Sequence, residues 1–478
     1  MAVDYDIVII GGGSGGLVVA SAAAQLKAKV ALVEKSKLGG DCLWYGCVPS
    51  KSFIHAARVA YSVKGGSRVG VYTKPPTIKF DEAMNHVQKA IAAIEPNDSP
   101  ERFEGLGVEV IFGSGQFTDE KTFEVNGRKL TARAFVISTG SSPAIPPVEG
   151  LETAGFLTNE QVFSLTEQPK SLAVIGSGPI GCELGQAFHR LGTEITLFAS
   201  GDRLMPKEDP DAAAVIEQQF MREGITVLKK SRLKRVEVVG KKKHLYTEND
   251  SQVAAIVDEI LIATGRTPNI DSLDLKAAGV DYDKNGVHVN EKLQTTNSNI
   301  FACGDVIGGY QFTHVAGYEA VTVLQNALNP LPIFLKSIDY RVIPWATFTD
   351  PEVARVGLTE EEARKKYNDV VVLKLPFAEV DRAQAEDATT GFNKIIVRSN
   401  GEILGAHMVG HMAGELIHEI VLAMSNRLSV SSLTGIHIYP TLTEINSKTA
   451  LLLSKKKYAD NTNLQSFLVK LFSFFRSL

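Results

Sequence analysis

Cys42 and Cys47 stand in the stretch GGDCLWYGCVPSK with four residues between them, and Lys51 follows the second cysteine by four. Two thiols at this spacing can close to a disulfide and reopen, which moves two electrons. A cation about one helical turn past a thiol favours the thiolate, the reactive form. Cysteine is scarce, with only four in 478 residues, so a pair spaced for exchange is not filler. The pair also follows a nucleotide-binding fingerprint by a few dozen residues. Electrons passing between a bound cofactor and the thiols is the chemistry this placement implies.

The elements that must position the pair are read from a repeat. The apolar run Ile7–Ile10 leads into Gly11-x-Gly13-x-x-Gly16, a helical stretch Leu17–Leu26, and a strand Val30–Val33 that ends at Glu34. Later, Leu172–Ile175 leads into Gly176-x-Gly178-x-x-Gly181, a helix through His189, and a strand Glu194–Phe198 that ends at Ala199. In both copies the last position lies 23 residues after the first glycine (34 − 11 and 199 − 176). Two βαβ units of matched spacing predict two dinucleotide sites. The first glycine permits the tight turn, the second admits a pyrophosphate, and the third lets helix and strand pack. The helix N-terminus offers free N–H groups to the phosphates.

The two units differ where the adenosine ribose would bind. Glu34 can accept hydrogen bonds from a ribose diol, as FAD or NAD requires, whereas Ala199 cannot. Ser200, Arg203 and Lys207 follow Ala199 and can hold a 2′-phosphate, which favours NADPH over NADH. The alternative for Arg203 and Lys207 is a solvated surface. Two further strands echo each other, Phe135–Gly140 and Ile260–Gly265, each closed by Thr-Gly. The strand from Ile300 ends at Asp305, placed to bond a ribityl or phosphate-linked hydroxyl, to cap a helix, or to do both. Residues past about 343 alternate strand and helix patterns, ending in a helix expected over Ala413–Asn426. The predicted class is α/β, with two Rossmann-like doubly wound nucleotide-binding domains and a C-terminal α+β domain. The expected division is a first nucleotide domain over 1–148 and 271–342, a second over 149–270, an interface domain over 343–455, and a tail over 456–478.

Apolar residues make up 44% and charged residues 22% of the chain, as in an ordinary globular enzyme. A net charge of −4 gives no electrostatic case for nucleic acid. Four cysteines form no disulfide framework, which fits a reducing compartment. The early strand leaves no room for a signal peptide, and no apolar run is long enough to span a bilayer, so a cytoplasmic location is expected.

In chain order, the first fingerprint, C-x4-C-V-P-S-K, the second fingerprint with Glu183, A-C-G-D and HIYPTLTE together resemble the flavoprotein disulfide reductases. That family includes lipoamide dehydrogenase, glutathione reductase and mercuric reductase. The resemblance covers about residues 4–455. The stretches IPWATFTDPEVARVG and FAEVDRAQAEDATTGF look most like the mercuric reductase core. It implies bound FAD, a nicotinamide donor and a homodimer. It further implies that Cys42 is the interchange thiol, that Cys47 lies against the flavin as a thiolate, and that Lys51 sits near flavin N5 and pairs with Glu183. Cys182 and Cys303 read instead as small core residues.

The C-terminal motif departs from the family. Lipoamide dehydrogenase and glutathione reductase carry a histidine before Pro-Thr as general acid and base, oriented by a glutamate. Here that position is Tyr439, while Glu444 remains. His437 would sit on the same face roughly 7 Å away in extended chain. A phenol of ordinary pKa near 10 is a poor proton shuttle at neutral pH, so disulfide exchange is handicapped. Two thiolates can bind Hg(II) directly, so Cys42 and Cys47 are expected to hold that ion transiently. Mercuric reductases also lack the histidine, but they end in a vicinal cysteine pair that is absent here. Tyr439 either lines the metal site or packs at the subunit boundary. Reduction of Hg(II) is therefore the expected activity. The alternatives are a lipoamide-type disulfide reductase and a membrane-associated quinone reductase.

Residues 454–463 read as a polar linker. Apolar residues from Leu464 to Leu478 then recur at three- and four-residue steps, an amphipathic helix. It either touches a membrane surface or docks on the protein's own body.

Overall fold

The computed structural model describes residues 3–248, 252–329, 331 and 334–478. The chain divides into two compact units, Met1–Ser200 with Ile225–Asp339, and Gly201–Gly224 with Tyr340–Leu478.

The first unit is built around two sheets whose central strands are parallel. In one, Val108–Phe112, Val30–Glu34, Tyr5–Ile10 and Arg128–Ile137 lie side by side, and Ile300–Ala302 pairs with the last of these. The register Ile7↔Val30 and Ile7↔Ala134 brings the end of Tyr5–Ile10 level with its neighbours. This sheet is covered on both faces, which is why its strands read as unbroken apolar runs. The helices Ser14–Gln25 and Thr313–Ala327 pack together on one face through Leu17, Val19, Ala320 and Val323. The second sheet runs Thr226–Leu228, Glu194–Phe198, Ser171–Ile175, Glu259–Ile262, all parallel. The helix Pro179–Leu191 follows its central strand. The echoing Thr-Gly strands meet just past their ends, where Ser141–Pro143 pairs antiparallel with Arg266–Pro268.

The second unit carries an antiparallel sheet in the order Pro344–Thr347, Glu352–Gly357, Ile403–Gly410, Phe392–Arg398, Val370–Pro376. The segment Gly201–Gly224 belongs with it although it follows the second nucleotide strand in sequence. It is tied there by the buried Lys394, whose ammonium lies 3.0 Å from Asp209, and by Trp345, which donates to Glu208 at 2.7 Å. The helix expected over Ala413–Asn426 is two pieces, Ala413–Leu416 and His418–Ser425.

The polar linker expected at 454–463 is absent. A helix runs through it from Glu444 to Asp460, and a second follows from Thr462 to Ser477. Lysine, tyrosine and alanine are adequate helix formers, and no glycine or proline interrupts them. The break is the single residue Asn461, whose side chain accepts from the Leu464 N–H at 2.9 Å.

Candidate functional site

Both glycine cradles have the shape a pyrophosphate needs. A Cβ on Gly11 would meet the Ser138 carbonyl at 2.4 Å, and one on Gly16 would meet the Gly11 carbonyl at 1.9 Å. A Cβ on Gly13 would meet nothing nearer than 4.0 Å. The second cradle repeats the pattern, with 2.1 Å clashes at Gly176 and Gly181 and nothing within 4 Å of Gly178. The outer glycines are thus required by the chain itself, and the middle one leaves open space at a helix N-terminus. The Glu34 carboxylate accepts from the N–H groups of Gly12 and Ser36, which holds it at the strand end. Glu34 with Gly11, Gly13 and Gly16 therefore suits an adenine dinucleotide such as FAD. Ala199 is fully buried and Ser200 is exposed just past it. Arg203 donates to the Pro206 carbonyl in its own loop.

The dithiol segment abuts the first cradle. The N–H of Gly39 donates to the Gly12 carbonyl at 2.9 Å, and Gly40 lies so close that its Cβ would stand 2.8 Å from Gly13. Cys42 lies in the short helix Gly40–Trp44, and Cys47 is the first residue of the helix Cys47–Gly65. Lys51, one turn on, reaches Glu183 at 2.9 Å. Glu183 belongs to the helix of the second cradle, so this ion pair joins the dithiol helix to that cradle. Phe53 and Phe188, on the same two helices, pack with tilted rings whose centroids are 4.7 Å apart.

Both thiols are free, and they are not equivalent. Cys47 is held down at about 6, first because the Cys42 thiol donates to it. The Thr313 hydroxyl, 3.2 Å away, and the charge of Lys51 act in the same direction, against burial. Cys42 is pushed well up, because it is the donor in that bond and is desolvated. A helix N-terminus adds to the preference for a thiolate at Cys47. Alkylation of Cys47 in the reduced protein should hold its rate as pH falls toward about 6 and drop below it, where the thiolate is protonated. Thr313→Val should move that midpoint upward. An unmoved iodoacetamide pH profile would show that the hydroxyl has no such role.

Sequence reasoning missed the polar network around the pair. Arg266 donates to the Ser141 hydroxyl at 2.6 Å and lies 3.3 Å from Asp41 and 3.4 Å from Asp305. Asp305 accepts from Ser141 at 2.6 Å and caps no helix through its side chain, so the capping alternative fails. Burial raises its carboxyl above the usual range. Gly140 and Gly265 adopt positive φ at the turns that carry Ser141 and Arg266 into this network. The only sequence signal was an arginine directly after the second Thr-Gly. Cys47, Lys51 and His55 recur by fours on one helix face. With His86 and Ile94 of the helix Phe80–Ile94 they line a pocket of about 470 Å³.

The C-terminal motif lies in the second unit. Tyr439 is 67% exposed, and its hydroxyl donates to Asp381 at 3.0 Å. That carboxylate pushes the phenol above its ordinary value. Glu444 accepts from the Thr441 N–H at 3.4 Å. His437 is held at both ring nitrogens, by the Gly435 carbonyl at 2.7 Å and by Glu419 at 3.1 Å.

Comparison with known proteins places this arrangement. Residues 5–320 match the model of the pyridine nucleotide-disulphide oxidoreductases, and residues 343–450 match the dimerisation domain of the same family. The mercuric reductase of Lysinibacillus sphaericus is 39% identical over 434 residues, covering 90% of this chain and 79% of that protein. The dihydrolipoyl dehydrogenase of Thermus scotoductus is 35% identical over 471 residues, covering 95% and 98%. Among solved structures, the HOCl-induced flavoprotein disulfide reductase RclA of Escherichia coli superposes with a TM-score of 0.84 at 28% identity, covering 94% of this chain and all of that one. RclA has also been solved as a Cu(II) complex. With FAD-type and nicotinamide-type cradles meeting at one dithiol, this chain is an oxidoreductase that belongs to the pyridine nucleotide-disulphide oxidoreductase family, whose members use FAD and NAD(P)H.

Proposed function

We propose that the chain is an FAD-dependent NADPH oxidoreductase whose Cys42–Cys47 pair delivers electrons to a soft metal ion, Hg(II) in the first instance. Overall, NADPH and Hg(II) give NADP⁺, metallic mercury and a proton. FAD, when bound, supplies the path for the electron pair from the nicotinamide. The residues of the first cradle, Glu34 and Asp305 would hold it, and those of the second cradle would hold the nucleotide, with Ser200 on its 2′-phosphate.

The observation that carries this reading is the state of the C-terminal motif. Exchange with a disulfide substrate needs a group that takes a proton from the attacking thiol and returns one to the departing thiolate. Tyr439 holds its proton more firmly than an ordinary phenol because Asp381 accepts from it. His437 has both nitrogens engaged, so it offers no free position to a substrate. A metal ion needs no such shuttle. The Cys47 thiolate binds it directly, and Cys42 loses its proton to the ion's thiol ligands on exchange. A metal ion bound to RclA supports this class of acceptor in the family.

A second reading, reduction of a lipoamide-like disulfide, has one observation in its favour. The dihydrolipoyl dehydrogenase of Thermus scotoductus covers 95% of the chain at an identity close to that of the mercuric reductases. Oxidation of NADPH and NADH by purified protein should be compared with Hg(II) in excess thiol, lipoamide, oxidised glutathione and a quinone. We expect turnover with Hg(II) above each disulfide, and a kcat/KM for NADPH above that for NADH. Silence with Hg(II) beside brisk turnover of one disulfide would overturn the proposal.

A further inference from the structure

The terminal helix Thr462–Ser477 buries none of its residues, although Phe467, Phe472 and Phe475 are among them and are 59%, 53% and 59% exposed. At about 100° per residue its apolar side chains, Val469 apart, fill an arc of roughly 160°. Phe474 stands at one edge, Phe472 at the other, and Leu464 and Phe475 near the centre. Its two cations, Lys470 and Arg476, fall just outside the two opposite edges of that arc. From such positions a long basic side chain lays its stem along an apolar surface and keeps its charge at the polar boundary.

The charge pattern identifies the surface. Residues 461–478 contain no aspartate or glutamate, and Lys455, Lys456 and Lys457 stand exposed at the end of the preceding helix. A purely protein-facing apolar stripe needs neither feature. The sixteen-residue helix is too short to cross a bilayer, and no described helix is long and apolar enough to do so. It also lies past residue 450, where the family's dimerisation domain ends.

We propose that this helix lies flat on an anionic lipid surface, with its phenylalanines at the acyl boundary and the lysines over the headgroups. The test uses the full-length protein with its cofactor. Sedimentation with vesicles of phosphatidylcholine alone should carry little protein. Equimolar phosphatidylglycerol and phosphatidylcholine should carry most of it, and high salt should weaken that binding. Deleting residues 464–478, or combining F467S, F472S and F475S, should lower the partition at least about tenfold. NADPH oxidation with a soluble dye acceptor should stay unchanged. Binding that ignores lipid charge, or that survives both variants, would overturn the proposal. A fall in oligomeric mass on deletion without lipid would also overturn it, since the face would then join copies of this chain.

Discussion

Serine in place of Cys47 is expected to lower Hg(II)-dependent NADPH oxidation by about 10³-fold or more, while the protein still folds and binds its cofactor. A hydroxyl neither ionises at neutral pH nor carries the soft sulfur that binds the ion. Cys47 is the thiol whose surroundings already favour the anion, with Cys42, Thr313 and Lys51 all directed at it. Replacing Cys42 should cost comparably in turnover but leave a second mark. The surviving Cys47 loses its strongest stabilising bond, so its alkylation profile should move up in pH. Metal-dependent oxidation that persists in a double alanine variant would sink the mechanism, because no other thiol pair exists in the described structure.

The second large effect concerns the missing base. Tyr439→His is expected to raise kcat/KM for lipoamide about a hundredfold, the usual lower range for a placed general acid and base. Turnover of Hg(II) should change little. An imidazole of ordinary pKa near 6.5 exchanges protons readily at neutral pH, whereas the present phenol starts near 10 and is pushed further by Asp381. Glu444 stands at the start of the helix Glu444–Asp460, where its carboxylate accepts from the Thr441 N–H. Lipoamide turnover that is already high and does not respond to this substitution would show that protons reach the dithiol by another path.

The parts of this molecule that could be read from sequence are those fixed by short-range covalent geometry. Gly11 and Gly176 need positive φ under a carbonyl, Gly16 and Gly181 need to be bare, and both demands recur at fixed spacing. Glycine patterns thus announced both cradles, and the Lys51–Glu183 pair followed from the family resemblance. The Arg266 network was illegible because Asp41, Ser141 and Asp305 come from three distant segments, and nothing local to any one of them marks the meeting. Thr313 was missed for the same reason, being 266 positions from its cysteine partner. The segment 454–463 failed differently. Its polarity suggested a linker, but polarity alone does not break a helix, and only Asn461 does. Membership of Gly201–Gly224 in the second unit rests on contacts such as Lys394 with Asp209 and Trp345 with Glu208, whose partners lie far along the chain.

Burial of the other two cysteines turns thiol counting into a readout of oxidation state. Cys303 lies so close beneath the first cradle that a Cβ on Gly15 would stand 3.1 Å from its sulfur, and burial pushes its thiol far above the reactive range. Cys182 is equally enclosed and donates to the Ser177 carbonyl. A polar thiol reagent added to the folded protein therefore sees only Cys42 and Cys47. The pair of electrons held on the dithiol appears as two modifiable sulfurs, and handing that pair on removes them. The same chain thus reports its own charging and discharging in mass spectra, with no need for a cofactor colour.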